Sequence, residues 1–248
     1  MSVVNILVEG KDDIVFVSRL IEVIRGESKL PLLKWRLVNR ENKITINGVK
    51  KRWFGDATVS VGDDCVAITE TGGVYQKPGP ELLVVKMPEP KKVDQLVCLF
   101  DADAPTNFLG NHVEAGGLPE RREYIEKLYS AVSVGRKYFF FPNDAHNGTL
   151  EDLVISMIRP EIKFVIDRNW PMYRQTIRSD LENIQRTYLD YSSKCALSQF
   201  ATVFDLDVAK DLYWVAALWN DKMWNWQAKS LWPLIEFLKS NLPCLFTL

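Results

Sequence analysis

Histidine and cysteine are scarce in this chain: its 248 residues hold two His and four Cys. Cys65, Cys98, Cys195 and Cys244 are scattered, with no CxxC pair and no His cluster beside them. That argues against a zinc site and against a disulfide framework. Cys98, inside an apolar run, reads as a small buried hydrophobe. Long apolar stretches are missing too. None approaches the roughly 20 residues a membrane span needs, and the N-terminus has no basic leader followed by an apolar core and a cleavage site. Charge of one sign is not in excess. The formal net charge is −1, so a polyanionic partner would need a local basic patch. There is no internal repeat and no low-complexity tract. The expectation is a cytoplasmic globular protein without membrane association.

What is present is a run of short apolar segments alternating with amphipathic ones. Val3 to Val8 is nearly all apolar, as in a parallel strand buried on both faces. Glu9-Gly10 then turns the chain, and Asp12 and Asp13 open a helix whose Ile14, Val17, Ile21 and Ile24 form one stripe. Residues 32–62 read as an insertion of short strands, including a hairpin around KITING and Trp53-Phe54. Asp64 to Thr69 predicts a second core strand. Between Pro78 and Pro90, four prolines leave room only for a short helix near Glu81 to Lys86.

Leu96 to Phe100 predicts another strand, Leu118 to Ser133 a helix, and Arg136 to Phe141 a further strand stopped by Pro142. Thr149-Leu150-Glu151-Asp152 looks like an N-cap with an acid at the third helical position, opening a helix that ends before Pro160. The β-α-β order predicts an α/β fold with a central, mostly parallel sheet over residues 1–158. Beyond Pro160 no strand pattern recurs. Helices are expected over Ile177 to Leu197, Asp207 to Ala217 and Ala228 to Leu242, a helical C-terminal extension (159–248) packed on the sheet. The aromatic cluster Trp214, Trp219, Trp224, Trp226 and Trp232 reads as the buried side of that layer rather than as a base-stacking platform.

The chemistry lies at the strand ends. The run NILVEGKDD closes a strand on Glu9, and LVCLFDADAP closes another on Asp101 and Asp103. Parallel strands deliver such residues to one carboxyl edge, where open α/β folds place their sites. Two carboxylates about 4 Å apart repel by roughly 4 kcal/mol at an effective dielectric of about 20. Converging several therefore calls for a cation or for shared protons. Each acid also has a plainer reading: Glu9 and Asp13 as loop and helix-start acids, Glu151 and Asp152 as partners of a helix dipole.

With these residues in view, the chain resembles the toprim domain, shared by topoisomerases, bacterial primases and the OLD-type (overcoming lysogenization defect) nucleases. Its signature is a strand-terminal Glu-Gly followed by a strand-terminal Asp-x-Asp. The later FFFPNDAHNGTLEDLV looks like the GTLEDL segment of small stand-alone toprim-like proteins of undefined role. The resemblance implies a three-layer, Rossmann-like domain. It implies Mg²⁺ (or Mn²⁺) on Asp101 and Asp103, with Glu9 as metal ligand or general acid/base. By position, Asp13 and Glu151 are the candidates for a second metal. It further implies a nuclease-like enzyme that cleaves phosphodiesters in DNA or RNA, with repair or phage defence as its setting.

Candidate substrate contacts are Gly10 and Lys11 beside the first acid, and Lys51 and Arg52 in the basic run ahead of Trp53-Phe54. His146, in a polar loop beside Asp144, completes the set. The plainer reading takes Lys11 as a local charge partner and His146 as a solvated side chain. The other basic pairs, Lys91-Lys92, Arg121-Arg122 and Arg136-Lys137, read as solvated faces. Two rival readings stand. One is a haloacid-dehalogenase-type phosphatase, which also begins its site with Asp-x-Asp; against it, Pro105 stands where that family has Thr or Val. The other is a non-catalytic adaptor of the same fold that binds a protein or a nucleotide.

Overall fold

The computed structural model describes residues 3–27, 36–38, 42–46, 49–53, 56–61, 64–71, 93–106, 111–130, 133–183 and 223–246. Strand β1 (Val3–Val8) is followed by helix α1 (Lys11–Glu27). Four short strands come next: β2 (Arg36–Val38), β3 (Asn42–Ile46), β4 (Val49–Trp53) and β5 (Asp56–Val61). Then come β6 (Asp64–Glu70), β7 (Gln95–Asp101), α2 (Leu118–Leu128), β8 (Gly135–Phe141) and α3 (Leu150–Ser156). Among the described residues, helices α4 (Pro160–Asn183), α5 (Trp232–Asn241) and α6 (Pro243–Phe246) follow, with a 3₁₀ turn at Lys229–Leu231.

The main sheet has six strands in the order β2-β5-β6-β1-β7-β8. Its core, β6-β1-β7-β8, is parallel throughout. The expected insertion at 32–62 does more than form a hairpin. β5 and β2 extend the main sheet by antiparallel pairing, and only β3 and β4 form a separate two-stranded ribbon. The short helix expected near Glu81 to Lys86 lies outside the described residues.

Period-two alternation splits each strand between two apolar layers. Val4, Ile6 and Val8 of β1 join Val97 and Leu99 of β7 and Phe139 and Phe141 of β8 on the α1 side. Leu7, Leu96, Cys98, Phe100 and Phe140 face the other way, toward Ile125 and Tyr129 at α2. Helices on both faces of a sheet make the expected three-layer α/β arrangement, with a helical C-terminal region.

That region shares the α1-side core. Met223, Trp224, Trp226, Leu231, Leu234, Leu238, Leu242 and Leu245 are buried with the residues of α1 and the sheet. Trp226 stacks on Phe16 with ring centroids 6.3 Å apart, and buried Arg25 of α1 donates to the Leu245 carbonyl. The boundary expected at 158/159 therefore divides the chain without dividing the core. Helix α4 departs from expectation by starting at Pro160, well before Ile177. Proline is pre-set for a first helical position, and Pro171 is carried inside the helix. The helices expected after residue 183 and before 223 lie outside the described residues.

Candidate functional site

Connections leave β1 and β7 toward opposite faces. α1 covers one side of the sheet on the way from β1 to β6, and α2 covers the other on the way from β7 to β8. The crevice between two such adjacent strands, at their carboxyl ends, is the topological switch point where α/β sheets bind ligands. Glu9 follows β1 there, and Asp101 ends β7.

The two meet. Glu9 Oε1 accepts a hydrogen bond from the Asp101 backbone N–H at 2.9 Å, across 92 positions of sequence. Asp101 Oδ1 in turn accepts from the Leu150 N–H at 2.8 Å, the first residue of α3. Asp13, in the first turn of α1, reaches back so that its Oδ2 accepts from the Gly10 N–H at 2.6 Å. Each of these carboxylates thus has one oxygen fixed by a backbone donor. Among the described residues, the second oxygen of each makes no hydrogen bond.

The electrostatics follow from that crowding. The acids stay partly open to solvent at the crevice, yet protein surrounds them on most sides. Burial pushes the Asp101 carboxyl well above the usual carboxylate range, and Glu9, Asp13 and Glu151 push it further, against the Leu150 N–H. Asp13 is raised in the same way, first by burial and then by Glu9, with Glu151 and Asp12 adding to it against the Gly10 N–H. Glu9 is raised as well, again by burial first. The Asp101 N–H and the positive charge of Arg121 pull it back, while Glu151 opposes them. Four of the five acids singled out from the sequence therefore feel one another: Glu9, Asp13, Asp101 and Glu151. Their side chains converge without closing into a finished cage. Among the described residues, no group of three acidic, His or Cys side chains is drawn together tightly enough to hold a metal as it stands.

Asp103 is the departure. Its carboxylate is paired with Arg121, which is 1% exposed on α2. Its backbone is in the left-handed region (φ 55°) and bridges to Gly148 in both directions, N–H to O at 2.8 Å and O from N–H at 3.1 Å. The Asp-x-Asp pair thus splits in role, with Asp101 in the acid cluster and Asp103 tying the loop after β7 to the loop before α3.

Arg121 is the residue the sequence reading missed. It sits with Leu118, Ile125 and Leu128 at helical spacing, so the apolar stripe of α2 points it inward. Its neighbour Arg122 bonds Asp144 at 2.8 Å and lies over the Phe140 ring.

The remaining candidates are more peripheral. His146 is exposed and turns its ring to Asn143 at 3.0 Å. Asp152 caps α3, its Oδ2 accepting from the Thr149 N–H at 2.8 Å, as the capping-box spacing implied. Lys11 opens α1, and Lys51 and Arg52 lie in β4; their side chains fall outside the described parts of the structure.

The molecule is thus an α/β protein with a helical C-terminal region and a coupled carboxylate cluster at the switch point of its sheet. The model of the family described as "Protein of unknown function (DUF3226)" matches residues 4–242, and the chain belongs to that family. No curated protein matches it. A crystal structure of a hypothetical protein from Pyrococcus horikoshii OT3 is similar at 17% identity and a TM-score of 0.46, over 99% of this chain and 98% of that one.

Proposed function

We propose that the protein is a Mg²⁺- or Mn²⁺-dependent, nuclease-like enzyme of toprim type that cleaves phosphodiesters in DNA or RNA. The observation that carries this reading is the set of three carboxylates, Glu9, Asp13 and Asp101, each oriented by a backbone N–H through one oxygen. Oriented carboxylates of this kind are what hard divalent cations use, with water completing the shell. Their mutual repulsion supplies the reason for a cation to bind. Asp101, Asp13 and Glu151 would hold it, with Glu9 alongside; bound there, it would neutralise charge on a phosphate and lower the pKa of an attacking water.

The rest is work for the chain. Glu9 stands at the switch point with one oxygen fixed and the other left to take or return a proton at the attacking or leaving oxygen. Arg121 lowers the cost of ionising it. The Leu150 N–H keeps the Asp101 carboxylate turned toward the crevice. Against a haloacid-dehalogenase-type reading, Pro105 stands where that family has Thr or Val, and the second Asp of the pair, Asp103, is held by Arg121.

The test is a cleavage screen over single-stranded, double-stranded and structured DNA and RNA with Mg²⁺ or Mn²⁺. Glu9→Gln and Asp101→Asn keep an acceptor oxygen for the bonds each makes now. Each is expected to lower cleavage roughly 100-fold or more while leaving the circular dichroism spectrum unchanged. Full activity in both variants would reject the assignment.

A further inference from the structure

Thr71 stands at the carboxyl edge of the sheet, immediately after β6. The residue is 8% exposed, and its hydroxyl has no hydrogen-bond partner among the described residues. Buried hydroxyls are rarely left so, because the hydration they lose then goes uncompensated.

Its place is fixed by the ladder. β1 and β6 run parallel with Val8 opposite Glu70, and the Thr71 N–H bonds the Val8 carbonyl at 2.8 Å. The next register pair is therefore Glu9 and Thr71, and paired residues of neighbouring strands turn to the same face. The hydroxyl two residues earlier is already used, since Thr69 donates to Asn5 Oδ1 at 3.0 Å on that face. Thr71 is where the polar row Asn5, Thr69, Thr71 arrives at the carboxylates, and it makes no bond to Glu9.

Resting on the phosphodiesterase reading above, we propose that Thr71 is a substrate-binding residue, its hydroxyl donating a hydrogen bond to a non-bridging oxygen of the bound phosphodiester beside Glu9. A neutral donor suits that position. It contacts an anionic oxygen without adding charge to a cluster already crowded with it, and it accounts for a buried hydroxyl that no described residue bonds.

The experiment compares the parent with Thr71→Val, which keeps the shape and removes the hydroxyl, and with Thr71→Ser, which keeps the hydroxyl. Melting temperature, Mn²⁺ affinity by electron paramagnetic resonance, and affinity for the generic phosphodiester bis(para-nitrophenyl) phosphate are read for each. Thr71→Val is expected to melt no lower than the parent and to bind Mn²⁺ equally. Its affinity for the phosphodiester should fall about tenfold or more, as for a lost hydrogen bond to a charged group. Thr71→Ser should restore most of that affinity. If Thr71→Val melts lower, the hydroxyl serves the fold and the proposal fails. It fails equally if Thr71→Val binds the probe as the parent does while both bind Mn²⁺, and the metal-centre reading then survives. A parent that binds no Mn²⁺ overturns that reading and the role of Thr71 with it.

Discussion

At the scale of single residues, the governing quantity is the free energy of crowding carboxylates. Asp13 and Asp101 are held well above their usual range and Glu9 above its own, so folding favours their protonated forms. Below about pH 4 these groups are protonated in both the folded and the unfolded chain, and the cluster costs nothing. As pH rises past the unfolded values, the unfolded chain releases its protons first and folding is penalised. The penalty grows until the folded-state values are passed, and each unit of separation costs about 1.4 kcal/mol. Without divalent cation, the melting temperature of the parent should therefore fall as pH rises above about 4, and more steeply than that of Asp13→Asn. That variant keeps an oxygen for the Gly10 N–H and removes one charge. At neutral pH it should melt higher than the parent, and Mn²⁺ should stabilise the parent more than the variant. Parallel melting curves across that range would mean that the acids do not repel as described.

Glu9 and Asp101 were legible because strand-terminal carboxylates need only the strands to be placed. The diversion of Asp103 was not legible. It depends on which residue of α2 faces inward and on a left-handed backbone at Asp103, both set by tertiary packing rather than by the Asp-x-Asp spacing.

At the scale of elements, the site is a junction of loops. The loop after β7 and the loop before α3 are joined by the Asp103–Gly148 bridge, and the Leu150 N–H that orients Asp101 begins one residue after Thr149, the α3 cap. Gly148 makes this possible. Its φ of 141° lies where side chains are disfavoured, and a Cβ there would stand 2.7 Å from Asp152 Oδ2 and 3.0 Å from Pro142. Gly148→Ala is expected to cost about 1–3 kcal/mol of stability in urea unfolding. Because the strain falls on the α3 cap, it should also weaken Mn²⁺ binding, although residue 148 carries no ligand. Normal stability with normal Mn²⁺ affinity would show that the bridge does not position Asp101.

Element boundaries read from the sequence were close where punctuation was local: β1 ends at Glu9-Gly10, β8 at Pro142, and α3 starts on its capping box. They failed where an end is set from a distance. Helix α2 stops at Leu128 rather than Ser133. Arg136, from the next strand, takes the Tyr129 carbonyl at 2.7 Å, a partner no window of helical periodicity contains.

At the scale of the whole molecule, the question is whether the chain has one core or two. Composition and motif order placed a boundary at 158/159, because strand patterning stops there and the acid motifs all precede it. Packing argues otherwise. Leu231, Leu234, Leu238, Leu242 and Leu245 are fully buried together with Ile14, Phe16, Val17 and Leu20 of α1, and the backbones of Met157 and Arg159 bond Asn225 and Met223. A sheet whose α1-side layer is completed by residues 223–246 would, without them, expose a broad apolar face. Burial of a single leucine or valine is worth about 1.5–3 kcal/mol, while a whole domain is stable by only about 5–15 kcal/mol. Losing several such residues exceeds that margin. A fragment of residues 1–158 is therefore expected to lack a cooperative thermal transition and to aggregate. In the full chain, Trp226→Ala should cost about 3–5 kcal/mol by removing the ring stacked on Phe16. Because α1 also carries Asp13, loosening its packing in Trp226→Ala should lower Mn²⁺ affinity as well as stability. A soluble fragment of 1–158 that melts cooperatively and binds Mn²⁺ like the parent would instead place the helical region outside the folding unit, and the carboxylate cluster would then owe nothing to it.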